Sequence, residues 1–240
     1  MNNIYDKNDF FNKYKEMARS KYGLSGAGEW HQLKDLLNDL KDKSILDLGC
    51  GFGWHSKYAS ENGAKSIVAI DSSVNMLEVA KDINSANNID YLNMSIEDMN
   101  FNNDFDLVIS SLALHYIEDY RAVVKKVYNS LKTNGEFIIN VEHPIFTAEG
   151  SQDWCYDDKG NIKHFPVDNY YSEGLRKANF LNEEVIKYHR TLTTYINTLI
   201  TEGFTILSVI EAMPDPSMIK EYNLENELRR PMMLLIKAKK

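Results

Sequence analysis

Cysteine is nearly missing from this sequence: Cys50 and Cys155 are the only two in 240 residues. That excludes a disulfide framework and a cysteine-based metal site. Basic residues are in the minority, 27 Lys and Arg against 35 Asp and Glu, for a net charge of −8. Nucleic-acid binding draws its affinity from clustered positive charge, and no Lys/Arg cluster here is large enough to provide it. Long apolar runs are lacking too, none approaching the roughly 20 residues of a membrane span. The opening MNNIYDKNDFF has neither the basic start nor the apolar run of a secretion signal. A soluble cytoplasmic protein without membrane or nucleic-acid partners is therefore expected. There are only five prolines and no repeat or low-complexity tract. What is present, 43% hydrophobic and 26% charged residues, is ordinary globular composition and argues against disorder. The length suits one α/β domain with insertions, so residues 1–240 are read as a single domain.

The chain opens with two amphipathic stretches. Asp6 to Tyr22 places Phe10, Tyr14, Met17 and Ala18 near helical spacing, and Gly23 to Gly28 stops the pattern. Glu29 to Leu40 puts Trp30, Leu33, Leu36, Leu37 and Leu40 on one face. Residues 1–43 thus form a helical cap. Ser44–Leu48, Ser66–Ile70, Asp90–Asn93, Phe105–Ser110 and Gly135–Val141 are short apolar runs suited to buried parallel strands. Helical stretches His55–Asn62, Val74–Asn84 and Tyr120–Leu131 lie between them. Such alternation specifies an α/β fold, a doubly wound, mostly parallel sheet with helices on both faces, whose core spans 44–142. Residues 143–190 interrupt it with aromatic residues among Asp, Asn and Gly, too long for an ordinary connection and expected to be a lid. Residues 191–240 add a helix capped by Thr191 and two runs, Thr205–Glu211 and Met232–Ala238, read as an antiparallel edge pair. Seven strands result.

The stretch Ile45-Leu46-Asp47-Leu48-Gly49-Cys50-Gly51-Phe52-Gly53 runs a strand into a glycine turn at a helix start. Glycine admits positive φ and close ligand approach. The dinucleotide pattern G-x-G-x-x-G is not met, because the third glycine comes one residue early and Trp54 stands where that pattern needs glycine. Asp47, just before the turn, would repel a pyrophosphate and attract an ammonium. Asp71 closes the second run, where a carboxylate accepts both ribose hydroxyls. Ribose joined to a cationic amino acid describes S-adenosylmethionine.

These segments, LDLGCGFGWH, VAIDSS, SIEDMNF, FDLVISSLALHYI and LKTNGEFIINVEHP, resemble the class I S-adenosylmethionine-dependent methyltransferases, with their seven-stranded Rossmann-like fold. EHPIFTAEGSQDW, DNYYSEG, KYHRTLTTY and ELRRPMMLL, with Gly28–Trp30, look like one bacterial branch of them without an assigned substrate. The resemblance implies that Gly49, Cys50, Gly51 and Gly53 border the methionine and ribose, with Asp47 toward the amino group and Asp71 on the ribose. It implies further that Ser72 and Met76 flank the adenine, with Ile96 and Glu97 as its other wall. Where many relatives have Gly-Asp-Ala this chain has Met94-Ser95-Ile96, so Glu97 or Asp98 takes over the contact to the adenine amine. Ser110, Ser111 and Leu112 would border the methyl-transfer position.

Transfer of a sulfonium methyl by in-line displacement needs no metal, and a base only if the acceptor keeps a proton. Among six histidines no ligand spacing appears. His143, after the fifth run, is the candidate base. His115, Tyr14 and Trp30 are expected to border a small-molecule acceptor, with His189 and Arg190 gripping an anionic group or pairing lid to body. Arg229-Arg230 reads as a solvated pair. The lid aromatics form either the acceptor pocket or the lid's own core. Two rival functions share the pattern: a sensor that binds S-adenosylmethionine without catalysis, and a nicotinamide oxidoreductase.

Overall fold

In the computed structural model, which describes residues 3–240, the apolar runs lie side by side in one seven-stranded sheet. The cap contains α1 (Asn8–Lys15), α2 (Ala18–Lys21) and α3 (Trp30–Leu36). The core alternates β1 (Ser44–Leu48), α4 (Trp54–Glu61), β2 (Ser66–Asp71), α5 (Val74–Ile83), β3 (Ile89–Asn93), β4 (Phe105–Ser111), α6 (Tyr120–Ser130) and β5 (Leu131–Glu142). The insertion holds α7 (Pro144–Thr147) and two hairpins, β6 (Cys155–Tyr156) with β7 (Ile162–His164), and β8 (Gly174–Phe180) with β9 (Glu183–His189). Then follow α8 (Leu192–Thr201), β10 (Thr205–Ala212), α9 (Pro216–Glu221) and β11 (Met233–Lys239). The strand order is β10-β11-β5-β4-β1-β2-β3, parallel from β3 to β5 and antiparallel where β11 joins. No helix among the described residues is long and apolar enough to cross a membrane.

Burial explains why the strands read as continuous apolar runs. Alternate residues of one strand serve different faces. Leu46, Val108, Phe137, Ile139 and Ile236 pack with Val123, Val124 and Val127 of α6 and Leu199 of α8. Their neighbours Ile45, Leu107, Ile109, Ile138 and Leu235 pack with Leu33 and Leu36 of α3, Ala59 of α4 and Leu77 of α5.

Three expectations are corrected. The first amphipathic stretch is not one helix: Lys7 and Met17 are extended (ψ 122° and 148°). The bend turns the Tyr5 ring edge-on to Phe10 and Tyr14, at 5.1 and 5.3 Å, contacts a straight helix would forgo. The second stretch is helical only from Trp30 to Leu36. The last two strands form the expected antiparallel pair at one edge of the sheet; β11 is its inner member, between β10 and β5, which is why Leu234, Leu235 and Ile236 are fully buried. Arg230 is not solvated. Its guanidinium lies 4.7 Å from Phe146 and Phe165 and 5.0 Å from Trp154, with Glu227 at 2.7 Å. Cation–aromatic contacts and an ion pair together fasten the insertion to the segment before β11, so these lid aromatics form its own core.

Candidate active site

The strand ends β1, β2 and β4 open on one edge of the sheet, where an open parallel sheet binds ligands. A cavity of about 1050 Å³ lies there, walled by the cap, the strand ends and the insertion. Gly49, Cys50, Gly51, Asp71, Ser72, Met76, Ile96, Glu97, Ser111 and Leu112 all border it. The three glycines differ in purpose. A Cβ on Gly49 would come 2.5 Å from the Ala113 methyl, and on Gly53 2.2 Å from the Tyr91 hydroxyl, so both are glycine for close packing. At Gly51, with φ +54°, a Cβ would meet nothing within 4 Å. Only there does bare backbone face open space. Gly53 is therefore corrected from a cofactor contact to a packing position that starts α4.

Asp71 sits at the centre of the wall. Its Oδ2 accepts from the Gly51 N–H at 2.9 Å and its Oδ1 from the Ser73 N–H at 2.8 Å, which leaves one lone pair on each oxygen. Burial pushes its carboxyl up, against those two N–H bonds. Buried Met76 and Ile96 supply apolar surface beside it. Ser95 turns the chain here by accepting from the Asp98 N–H at 3.1 Å and donating to Asp98 Oδ2 at 2.7 Å. Asp98 is thus occupied, and Glu97 is the acid that borders the cavity.

Asp47 and Ser110 lie behind the wall, not in it, correcting their expected contact with a ligand. Asp47 is 1% exposed and accepts from Ser56 Oγ at 2.7 Å. Burial pushes its carboxyl up to about 6, opposed by the Ser56 bond and reinforced by Asp71. Ser110 Oγ donates to the Leu48 carbonyl at 3.3 Å, joining β4 to β1. Leu112, after β4, has φ +56°, a costly conformation for a non-glycine residue that clusters at functional sites.

Beside His115, the far end of the cavity carries groups that sequence patterns did not mark as site residues. Arg19 holds Glu29 through two 3.2 Å bonds, and Asn140 donates to Glu29 at 3.0 Å and to Ser111 Oγ at 3.1 Å. Burial would raise the Glu29 carboxyl, but Arg19 holds it below its ordinary value. Lys187 Nζ lies 2.6 Å from Glu142 and 2.8 Å from Gln152. Burial pushes His55 and His115 down to about 4, so both are neutral near pH 7. These residues are far apart in the chain and follow no motif spacing.

The residues present fit an adenosyl amino acid: open space at a positive-φ glycine, spare carboxylate lone pairs beside it, and apolar flanks for a purine. Comparison with known proteins agrees. A methyltransferase domain model matches residues 46–139. A Listeria monocytogenes structure assigned to the S-adenosylmethionine-dependent methyltransferases is 52% identical, with TM-score 0.87 over 91% of this chain and 99% of its own. An S-adenosylmethionine-dependent methyltransferase from Mesorhizobium loti is 39% identical, with TM-score 0.84 over 91% of this chain and 100% of its own. A Haemophilus influenzae protein with no assigned activity is 34% identical over 100% of this chain and 99% of its own length. The chain belongs to the S-adenosylmethionine-dependent methyltransferases.

More distant methyltransferase relatives diverge in what they modify. A malonyl-acyl carrier protein O-methyltransferase of Acetivibrio thermocellus is 36% identical over 43% of this chain and 38% of its own length. A tRNA U34 carboxymethyltransferase of Alteromonas mediterranea is 26% identical over 78% and 63%. Of the residues the sequence assigned to the acceptor, Tyr14, Trp30 and His115 border the cavity. His143, His189 and Arg190 do not. His143 caps α7, its Nδ1 accepting from the Ile145 N–H at 3.1 Å while Nε2 faces Glu211 at 3.0 Å. His189 is held between Thr147 Oγ1 at 2.7 Å and the Tyr170 carbonyl at 2.9 Å. Arg190 donates to the carbonyls of Leu114, Ile117 and Glu118. His143 was expected at the site because it follows the fifth strand, and it ties α7 to β10 instead. For His189 and Arg190 the sequence left a grip on the acceptor or a lid-to-body tie open; Arg190 makes such a tie, while His189 is bonded within the insertion.

Replacing Asp71 with Ala in this methyltransferase removes the carboxylate expected to accept from the ribose and frees the Gly51 N–H. Losing hydrogen bonds to a charged acceptor costs about 1.5–3 kcal/mol, roughly ten- to a hundredfold in affinity. Calorimetry with S-adenosylhomocysteine on folded protein tests this, and unchanged affinity would remove Asp71 from the site.

Proposed function

We propose that this methyltransferase modifies a small molecule with a largely apolar body, held beside Trp30, Phe146, Met213, Met232 and Met233. The observation that carries this reading is the charge pairing inside the cavity. Each interior cation faces a buried carboxylate, Arg19 with Glu29 and Lys187 with Glu142, while Lys7 stands exposed at the rim. Among the described residues a polyphosphate chain would find no uncompensated positive charge there, and the net charge of −8 opposes a polyanion approaching from outside. The acceptors named for the distant relatives, tRNA and a carrier-bound malonyl group, are anionic. Volume supports a second ligand as well, since about 1050 Å³ exceeds the roughly 300–1,000 Å³ of one-ligand pockets.

Bound S-adenosylmethionine supplies a methyl group already activated for in-line displacement. The chain's task is to position an acceptor atom about 3 Å from it and to exclude water. Ser111 and Leu112 flank that position in this reading. In this reading His143, which does not line the cavity, is not the base. His55 and His115 both border the cavity, and His115 lies beside Ser111 and Leu112 in its lining. The His115 Nδ1 accepts from the Glu142 N–H at 3.5 Å, so the neutral ring carries its proton on Nε2 and acts as a donor that orients the acceptor. The Lys187–Glu142–Gln152 network holds this end of the insertion over the pocket.

The test is a tritium-methyl transfer screen across small-molecule pools, total tRNA and holo-acyl carrier protein. Product confined to small-molecule pools is expected; label in tRNA or carrier protein would reverse the assignment, and label in none would favour a sensor. A Met233→Trp variant should fill the acceptor side. It is expected to bind S-adenosylhomocysteine within twofold of the parent while transfer falls tenfold or more.

A further inference from the structure

Among the described residues, two buried side-chain polar atoms in the cavity wall lack partners. Ser20 is 6% exposed and its Oγ makes no hydrogen bond. The Trp54 indole Nε1–H is likewise buried and unpaired. Both residues border the cavity, as does Arg19. A buried donor left unpaired carries a free-energy penalty, and a native structure that keeps one at a cavity usually has a ligand or water to satisfy it. Arg19 also has capacity left. Its pairing with Glu29 uses one N–H on each terminal nitrogen, so three of its five N–H groups remain.

The three groups converge from two directions. Arg19 and Ser20 belong to α2 of the cap, and Trp54 opens α4 directly after Gly53. Gly23, two residues past α2, lies flat on the Trp54 ring: a Cβ there would come 2.7 Å from it. The cap is therefore docked on the end of the glycine turn. On the other side of the turn, Asp71 receives the Gly51 N–H. A ligand with its ribose on Asp71 and its chain along Gly51 would carry its amino-acid end toward Trp54.

We infer that Arg19, Ser20 and Trp54 form a carboxylate-binding subsite for the methionine end of S-adenosylmethionine. A guanidinium, a hydroxyl and an indole N–H are all donors, and a carboxylate accepts several hydrogen bonds at once. The subsite joins cofactor binding to the docking of the cap, since two of its donors come from α2. It rests on the cofactor site at Asp71 and Gly51.

The test compares S-adenosylhomocysteine with 5′-methylthioadenosine, which keeps the adenosine and thioether but has no amino-acid group. Trp54→Phe keeps the ring on Gly23 and removes only the donor; Ser20→Ala removes the second. Each is expected to weaken S-adenosylhomocysteine roughly tenfold or more while methylthioadenosine affinity stays within twofold. Arg19→Lys should show the same split. The Trp54 indole N–H resonance, assigned by its loss in Trp54→Phe, should shift with S-adenosylhomocysteine and not with methylthioadenosine. Equal losses for both ligands, or no loss for either, would overturn the subsite while leaving the cofactor site in place. An indole resonance that responds to neither ligand would do the same and would assign these donors to the acceptor. Failure of the parent protein to bind either ligand would overturn the cofactor site itself.

Discussion

Gly51→Val is expected to abolish cofactor binding while leaving the fold cooperative. Gly51 has φ +54°, and its Cβ position opens onto the cavity with nothing within 4 Å. A β-branched side chain there carries two effects. Left-handed backbone costs a non-glycine residue roughly 1–2 kcal/mol, and the two methyl groups occupy the space in which the cofactor chain must lie. The first effect lowers stability modestly; the second removes binding. Calorimetry should show S-adenosylhomocysteine affinity reduced more than a hundredfold, with circular dichroism close to the parent's. The neighbouring glycines should behave in the opposite way. Gly53→Ala drives a methyl group to within 2.2 Å of the Tyr91 hydroxyl, so it should lower the unfolding midpoint first. If Gly51→Val binds normally, the cofactor does not lie against the turn.

Asp47→Asn is expected to stabilise the protein at neutral pH. The Asp47 carboxyl rises from 3.8 to about 6 on folding because it is buried. The native state therefore holds a proton that the unfolded state releases between those values. Stability falls as pH rises through that window, and the penalty is complete above about 6. A shift of this size corresponds to about 3 kcal/mol. Asparagine removes the charge and retains an oxygen to accept from Ser56 Oγ, which lies 2.7 Å from the carboxylate. Urea unfolding at pH 8 should show the variant more stable by about that amount, with the difference shrinking toward pH 4. A difference that is absent at pH 8, or independent of pH, would refute the assignment. The same charge lies beneath the glycine turn, where it favours a cationic ligand. Asp47→Asn should accordingly weaken S-adenosylmethionine more than uncharged-sulfur S-adenosylhomocysteine, an exchange of binding for stability common at functional sites.

The alternation of apolar runs with helical stretches was legible in the chain because both faces of the sheet are covered. A strand such as Phe105–Ser111 has few polar positions to confuse the pattern. The cofactor wall was legible for a related reason. Gly49, Gly51 and Asp71 are fixed by local backbone geometry at the ends of β1 and β2, so their spacing survives as a readable signature. By itself, then, the sequence determined the sheet, its two helical layers and the edge on which the cavity opens.

The acceptor side was decided only by tertiary structure. Arg19 meets Glu29 across the turn between α2 and α3, and Lys187 meets Glu142 from opposite ends of the insertion. Neither pair has a spacing that elementary rules recognise, since each depends on how separate elements dock. The histidines show the same limit. His143 and His189 lie next to the insertion in sequence, but α7 and β9 turn them toward Glu211 and Thr147, whereas His115 faces the cavity. Arg230 reads as a surface charge until Phe146, Trp154 and Phe165 are brought around it. Local hydrogen-bonding rules act over a few residues and leave a pattern in the chain. The orientation of a long insertion follows from contacts between distant segments, which no single stretch of sequence records.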